Sequence, residues 1–154
     1  MSPGESGSPA GPAATGVVVA VDVGTVRVGV AASDPDRILA SPVATLRRDA
    51  SQGRDLDELA TVVRERRATL VIVGLPRTLA GEEGAAVRFA RTYASALAER
   101  VAPVAVELVD ERLTTVSAER SLAASGVRGR ARRGVVDQAA AVVLLQAVLD
   151  RARG

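Results

Sequence analysis

Residues Val17 to Ser33 read VVVAVDVGTVRVGVAAS. Nearly every position is a small aliphatic residue, valine dominates, and one acid, Asp22, stands among them. Valine density favours extended chain, and the break at Gly24-Thr25 favours a hairpin. The stretch therefore reads as two strands, Val17 to Val23 and Val26 to Ser33, joined at Gly24-Thr25. A near-continuous apolar run points to a central strand covered on both faces. Asp22 is out of place there. No basic residue lies within four positions of it. An isolated carboxylate among apolar side chains is costly unless it is paired or holds a cation.

Working outward, Asp34-Pro35-Asp36 is turn chemistry. Ile38 to Leu46 reads as a third strand, and Pro42 marks it as irregular or at an edge. Leu56, Leu59, Ala60 and Val63 recur at helical spacing within Asp55 to Arg67. A buried strand follows from Thr69 to Val73, closing at Gly74 and Pro76, and then a polar loop from Arg77 to Gly84. Ala86, Phe89, Ala90, Tyr93 and Leu97 trace a second helix, closed near Pro103. Val104 to Val109 is a fifth strand, leading into DERLTT, Asp110 to Thr115. Thr114 or Thr115 can cap a short helix that ends at Gly126. Residues 127–134, VRGRARRG, read as an Arg/Gly loop. Val135 to about Arg151 is apolar nearly all round, which predicts a deeply packed helix.

This order predicts an α/β fold. Three strands form an antiparallel meander, two later strands lie parallel to the first, and helices cover both faces of the five-stranded sheet. Residues 1–15, rich in Pro, Gly, Ser and Ala, read as a flexible tail. Residues 16–154 form one domain without internal repeats. The tail lacks the charged start and apolar core of a signal peptide. No uncharged apolar run is long enough to span a membrane, so no membrane partner is expected.

The chain has no Cys and no His. Thiolate nucleophiles, disulfides, Cys/His zinc sites and histidine bases are all excluded. The lack of Cys fits a cytoplasmic protein. Catalysis would have to rest on Asp, Glu, Arg, Ser, Thr, the one Tyr, or a metal held by oxygens. Phe89 and Tyr93 are the only aromatic residues, which argues against base stacking on aromatic platforms. All 20 basic residues are Arg. Arginine forks onto phosphate, which suits nucleic acid, and GC-rich coding yields the same bias.

Three acids stand out: Asp22, Glu111 just past the fifth strand, and Asp137 at the start of the last helix. In open α/β sheets, sites form outside the carboxyl ends of the parallel strands. Three carboxylates together repel unless cations neutralise them. Mg²⁺ or Mn²⁺ fits that need, and two ions about 4 Å apart activate water and stabilise the leaving oxygen of a phosphodiester. Each acid also has an ordinary reading: Asp137 as a helix-start acid, Glu111 as partner of Arg112. Spacing alone does not bring them together.

Other candidates concern substrate. Gly24 and Gly29 permit close backbone approach to a phosphate. Thr25 offers a hydroxyl or simply completes the turn. Arg27 touches a nucleic acid strand or is a solvated hairpin charge. Arg77 lies just past a strand end, after Gly74-Leu75-Pro76. Arg128, Arg130, Arg132 and Arg133 crowd the segment before Asp137, either as a phosphate clamp or as a solubilising run.

Five stretches, VAVDVGTVRVGVAASD, ILASPVATL, LVIVGLPRTLAGEEG, LVDERLTTVSAER and VVDQAAAVVLLQAVLD, resemble in order the motifs of the YqgF (RuvX) family. That family comprises pre-16S rRNA nucleases, also described as Holliday-junction-resolvase-like, with an RNase H fold. The resemblance covers residues 16–151. It implies that Asp22, Glu111 and Asp137 are the catalytic, Mg²⁺- or Mn²⁺-binding acids of a nuclease. Glu111 is favoured over the adjacent Asp110 by the motif alone. The implied substrate is precursor rRNA, free or in ribosomal particles. Four-way DNA is the alternative, and a non-catalytic ribosome-associated RNA binder is a third reading. No dimerisation helix is evident, so a monomer or weak dimer is expected. Related resolvases carry a further acid one turn beyond the position of Asp137, where this chain has Ala140 and Ala141. The first hairpin also resembles the phosphate loop of sugar kinases and ATPases, but one domain leaves no room for their second lobe.

Overall fold

The computed structural model describes residues 15–76, 84–113 and 129–153, apart from the side chains of 113 and 129–137. The valine run forms strand β1, Val18–Val23, and strand β2, Arg27–Ser33. The other strands are β3, Ala40–Arg47; β4, Leu70–Leu75; and β5, Ala105–Asp110. Helices α1, Arg54–Glu65, and α2, Ala85–Val101, precede and follow β4. A short 3-10 turn, Glu111–Leu113, and helix α3, Gly129–Arg153, complete the described chain. The five strands lie in the order β3-β2-β1-β4-β5. β1, β2 and β3 pair antiparallel, and β4 and β5 run parallel to β1. β1 is therefore central, as the unbroken apolar run requires.

The hairpin turns one residue later than the sequence suggests. Val23 pairs with Val28, so the tip is Thr25-Val26 rather than Gly24-Thr25. Gly24 instead closes the ladder, its N–H donating to the Arg27 carbonyl at 2.8 Å. A Cβ on Gly24 would meet that carbonyl oxygen at 2.9 Å, so glycine is needed beside the turn rather than in it. β3 begins two residues late because the N–H groups of Ile38 and Leu39 both donate to Asp34 Oδ1 at 2.8 Å. Those hydrogen bonds, Leu39 first, hold the Asp34 carboxyl below the usual carboxylate range. Pro42 sits at the irregularity in the β2–β3 register, on an edge strand where its missing N–H breaks no central ladder.

The faces of the sheet separate by residue parity. Val19, Val21, Val28, Val30, Val71 and Val73 pack with Leu59 of α1 and Leu97 of α2. Val18, Ala20, Ala31 and Ile72 point the other way, under Ala141, Leu144, Leu145 and Leu149 of α3. α3 is therefore buried along one stripe. Val143 and Ala147 on its far side remain half-buried, although the sequence suggests packing all round. α3 also begins at Gly129 rather than Val135, so 129–134 is helix and not an Arg/Gly loop. Ala and Arg are strong helix formers, and a single interior Gly134 weakens the helix by only about 1 kcal/mol. The short helix expected before Gly126 and the tail lie outside the described residues. Among the described residues, no helix is long and apolar enough to cross a membrane.

Both aromatic residues serve one buried ion pair. Asp55, in the first turn of α1, is fully buried. Its Oδ2 accepts from Arg48 Nη1 at 3.1 Å and from the Tyr93 hydroxyl at 2.7 Å, and its Oδ1 accepts from the Asp49 N–H at 3.1 Å. The Arg48 guanidinium lies 5.0 Å from the centroids of both the Phe89 and Tyr93 rings. Cation–π attraction and charge-assisted hydrogen bonds thus tie the end of β3 to both helices. In the sequence Asp55, Phe89 and Tyr93 read as ordinary helix positions. Nothing local marks them as a network.

Candidate active site

Asp22 lies one residue from the carboxyl end of the central strand. On the even parity of β1 it shares the face of Val18 and Ala20, which α3 covers. It pairs with Gly29 on β2, and Gly29 pairs with Thr45 on β3. On the other side the β1–β4 ladder runs to Val21 and Val73, so Gly74 comes next on the strand beside Asp22. Gly74 pairs in turn with Val109 on β5. Asp22 therefore has a glycine on each neighbouring strand. The missing side chains leave room above the sheet on the one face where a polar group emerges.

Glu111 fills part of that room. A Cβ built on Gly74 would lie 2.5 Å from Glu111 Oε1 and 2.9 Å from its Cγ. The Glu111 side chain thus folds back over β4, about one strand spacing of 4.8 Å from the line of Asp22. The adjacent Asp110 is engaged elsewhere. Its Oδ2 accepts from Arg112 Nη2 at 2.7 Å and Nε at 3.0 Å, and its Oδ1 accepts from the Arg112 N–H at 2.8 Å. That fork also raises the Arg112 pKa. Parity explains the split: Asp110 ends the strand, and the 3-10 turn swings Glu111 across to Gly74.

The described part of α3 passes over the same row. Gln138 Nε2 donates to Thr45 Oγ1 at 2.9 Å, and Ala141 is fully buried against the sheet. Asp137 is the residue before Gln138 on this helix. Its side chain lies outside the described residues, so the structure brings Asp22 and Glu111 onto one face and leaves the third acid placed by backbone alone. Ala140 is half-buried and Ala141 is in the core, where a carboxylate would be surrounded by Val18, Ala20 and Ala31. Thr45 and Gln138 are parts of this wall that the sequence did not single out. Thr45's odd position in an edge strand was the only available signal.

Of the substrate candidates, Thr25 is exposed at the hairpin tip and Arg27 is half-buried at the start of β2, directly opposite Arg47. Arg77 and Arg128 lie outside the described residues. Arg130, Arg132 and Arg133 lie on the first turns of α3, with side chains outside the description.

Among the described side chains no group of three metal-ligating residues assembles. The two carboxylates that do share a face are hard oxygen donors in a chain without His or Cys, and that chemistry fits Mg²⁺ or Mn²⁺ rather than zinc. The Gly74 cradle gives a specific test. Gly74→Ala is expected to leave the thermal midpoint within a few degrees of wild type, because the strand accepts alanine and only a side chain must yield. It is expected to lower any metal-dependent activity roughly tenfold or more by pushing Glu111 aside, the scale on which ligand geometry acts. Unchanged activity in a folded Gly74→Ala protein would remove Glu111 from the site.

Comparison with known proteins gives a consistent picture. Residues 16–151 match the family model described as RuvX: Holliday junction resolvase. A protein of Frankia casuarinae named "Putative pre-16S rRNA nuclease" is 61% identical over 138 residues, 90% of this chain and 68% of that one. One of the same name from Mycobacterium ulcerans is 59% identical over 133 residues, covering 86% of this chain and 78% of that one. Among solved structures, Thermus thermophilus RuvC superposes with a TM-score of 0.54 at 16% identity, covering 90% of this chain and 96% of that one. At that identity the likeness concerns the fold, which is RNase H-like. With the family model spanning all but the ends of the sequence, and with close relatives along nearly its whole length, this chain belongs to the RuvX family.

Proposed function

We propose that this protein is a divalent-metal-dependent endonuclease that acts in 5′ maturation of pre-16S rRNA in the cytoplasm, with Asp22, Glu111 and Asp137 as its catalytic acids. The observation that carries this is the Glu111 carboxylate lying over Gly74 beside Asp22, at the carboxyl ends of parallel strands. Gly29 and Gly74 flank Asp22 on the neighbouring strands and keep the sheet surface beside it clear of their own side chains. The names of the Frankia casuarinae and Mycobacterium ulcerans relatives support the rRNA substrate.

Asp22, Glu111 and Asp137 would hold the Mg²⁺ or Mn²⁺, which would supply charge neutralisation at the scissile phosphate and help activate water. The chain's own residues do the rest. Asp22 and Glu111 fix oxygen donors on a rigid sheet, so little reorganisation is needed when substrate arrives. α3, anchored through Gln138 to Thr45, roofs the row and limits water. Arginines of the first turns of α3 and the hairpin hold flanking phosphates. Water attacks phosphorus in line and leaves 5′-phosphate and 3′-hydroxyl ends.

The test is cleavage of a precursor 16S rRNA fragment with Mg²⁺ or Mn²⁺, run beside a four-way DNA junction. Cleavage of the RNA is expected, with Glu111→Gln reducing it at least about a hundredfold and Asp110→Asn by less than about threefold, because Asp110 holds Arg112 instead. Failure of the wild type to cut either substrate sinks the proposal. Cutting of the junction alone moves it to DNA.

A further inference from the structure

The chain must turn back sharply to bring Glu111 beside Asp22. β5 ends at Asp110, which pairs with Leu75 on the last rung of the β4–β5 ladder. Continued as strand, Glu111 would stand beside Pro76, about 7 Å past Gly74 by strand rise. Instead its Cγ would lie 2.9 Å from a Cβ on Gly74, so the side chain reaches a rung behind Asp110. The 3-10 turn Glu111–Leu113 makes that reversal. Three residues of 3-10 helix form few hydrogen bonds of their own and hold a fixed shape only with outside help.

Asp110 supplies that help. It stands immediately before the turn, in the position of an N-cap. Its Oδ1 accepts from the Arg112 N–H at 2.8 Å, one of the early N–H groups that such a turn leaves without a partner of its own. The Arg112 guanidinium returns to the same carboxylate, with Nη2 2.7 Å and Nε 3.0 Å from Oδ2. Backbone and side chain of Arg112 are both fixed to Asp110, and Glu111 is the residue between them. The ion pair adds little to stability, because Asp110 is 29% and Arg112 49% exposed. Its consequence is geometric. The long helices α1 and α2 start at Gly53 and Gly84 with no side-chain cap, whereas the short turn that carries Glu111 has one. Gly74 opens the space on β4, and the capped turn directs Glu111 into it.

We propose that Asp110 is a positioning residue: its cap on the 3-10 turn holds the Glu111 carboxylate over Gly74, where that carboxylate would ligate a divalent cation beside Asp22. This rests on the nuclease reading above. The hydrogen bond to the Arg112 N–H does the positioning, and the guanidinium fork secures it. Asparagine at position 110 keeps the first through its side-chain oxygen, and alanine keeps neither.

Mn²⁺ binding, followed by the electron paramagnetic resonance of the free ion, tests this together with thermal unfolding of the same samples. Asp110→Ala is expected to weaken Mn²⁺ binding roughly tenfold, the scale on which partners of a metal ligand act, and to raise the Mn²⁺ concentration for half-maximal RNA cleavage by the same factor. Its thermal midpoint stays within a few degrees of wild type, which separates positioning from a merely structural role. Asp110→Asn and Arg112→Gln, which both keep the backbone hydrogen bond, stay within about threefold of wild type. In a Glu111→Gln parent, adding Asp110→Ala changes Mn²⁺ binding by less than about twofold, because a residue that acts through another is not additive with it. Wild-type Mn²⁺ affinity in Asp110→Ala, an Asp110→Asn protein as weak as Asp110→Ala, or the same loss repeated in the Glu111→Gln parent overturns the positioning role. If any of these occurs while Glu111→Gln alone weakens Mn²⁺ binding and cleavage, the nuclease reading stands without it. A wild type that binds no Mn²⁺ and cuts no RNA sinks both.

Discussion

Replacing Asp22 with asparagine is expected to reduce cleavage of precursor rRNA by more than about a hundredfold while the protein stays folded. The magnitude follows from comparison with weaker perturbations, since loss of even an outer partner of a metal ligand typically lowers activity or metal affinity ten- to a hundredfold. Asp22 would lie inside that shell. The fold should survive because Asp22 is half-buried, between two glycine positions, and its neighbours Val21 and Val23 remain unchanged. Asparagine keeps the shape and removes the charge that draws a cation. Removing a carboxylate from a site where like charges crowd can even raise thermal stability. The measurement is single-turnover cleavage with saturating Mg²⁺ or Mn²⁺, alongside thermal unfolding. Equal rates for folded wild type and Asp22→Asn would place the chemistry elsewhere.

Replacing Asp55 with asparagine is expected to destabilise the protein by about 3–5 kcal/mol, the scale of breaking a buried ion pair from one side. Arg48 would then stay sandwiched between Phe89 and Tyr93 without its counter-charge. Urea unfolding at neutral pH measures the effect, and a loss below about 1 kcal/mol would show the pair to be dispensable, as exposed pairs are. The pH dependence carries a sign. Burial alone would raise the Asp55 carboxyl, but hydrogen bonds from Tyr93, Arg48 and the Asp49 N–H outweigh it and hold its pKa below the usual value. A depressed folded pKa means stability that is complete above the unfolded value, about 3.9, and lost as pH falls through the folded one. The gap between wild type and Asp55→Asn should therefore narrow below about pH 4. Tyr93 gives the opposite limb. Burial and the Asp55 hydrogen bond raise its phenol pKa, so its contribution is complete below about pH 10 and fades at higher pH. This dependence belongs to folding. It should appear in unfolding curves and not in the rate of a folded enzyme.

These two residues show what a linear reading can and cannot find. Asp22 was legible because its surroundings are local: valines on both sides make any acid conspicuous. Asp55 was invisible because it sits where helices ordinarily carry acids, and its partners Arg48 and Tyr93 come from β3 and α2. The start of α3 was misread for a related reason. Arg and Gly in VRGRARRG look like loop composition, whereas 129–134 continue as the first turns of a helix, which Ala and Arg favour. The facing of Arg27 and Arg47 needed the β2–β3 register, which the irregularity at Val30/Ala31 shifts. Counting along the sequence would have missed it.

By itself the sequence determined the order of the described strands and helices, the centrality of the valine strand, the absence of thiol and imidazole chemistry, and the conspicuous acid. All of these depend on neighbours in the chain or on composition. The tertiary structure decided which residue of the Asp110-Glu111 pair shares a face with Asp22. Side-chain direction alternates with each residue of a strand, and only the 3-10 turn after β5 sets where Glu111 swings. It also decided that Gly29 and Gly74 flank Asp22, a relation between three strands that no spacing along one chain contains. The acid's identity is local chemistry, and the company it keeps is set by register.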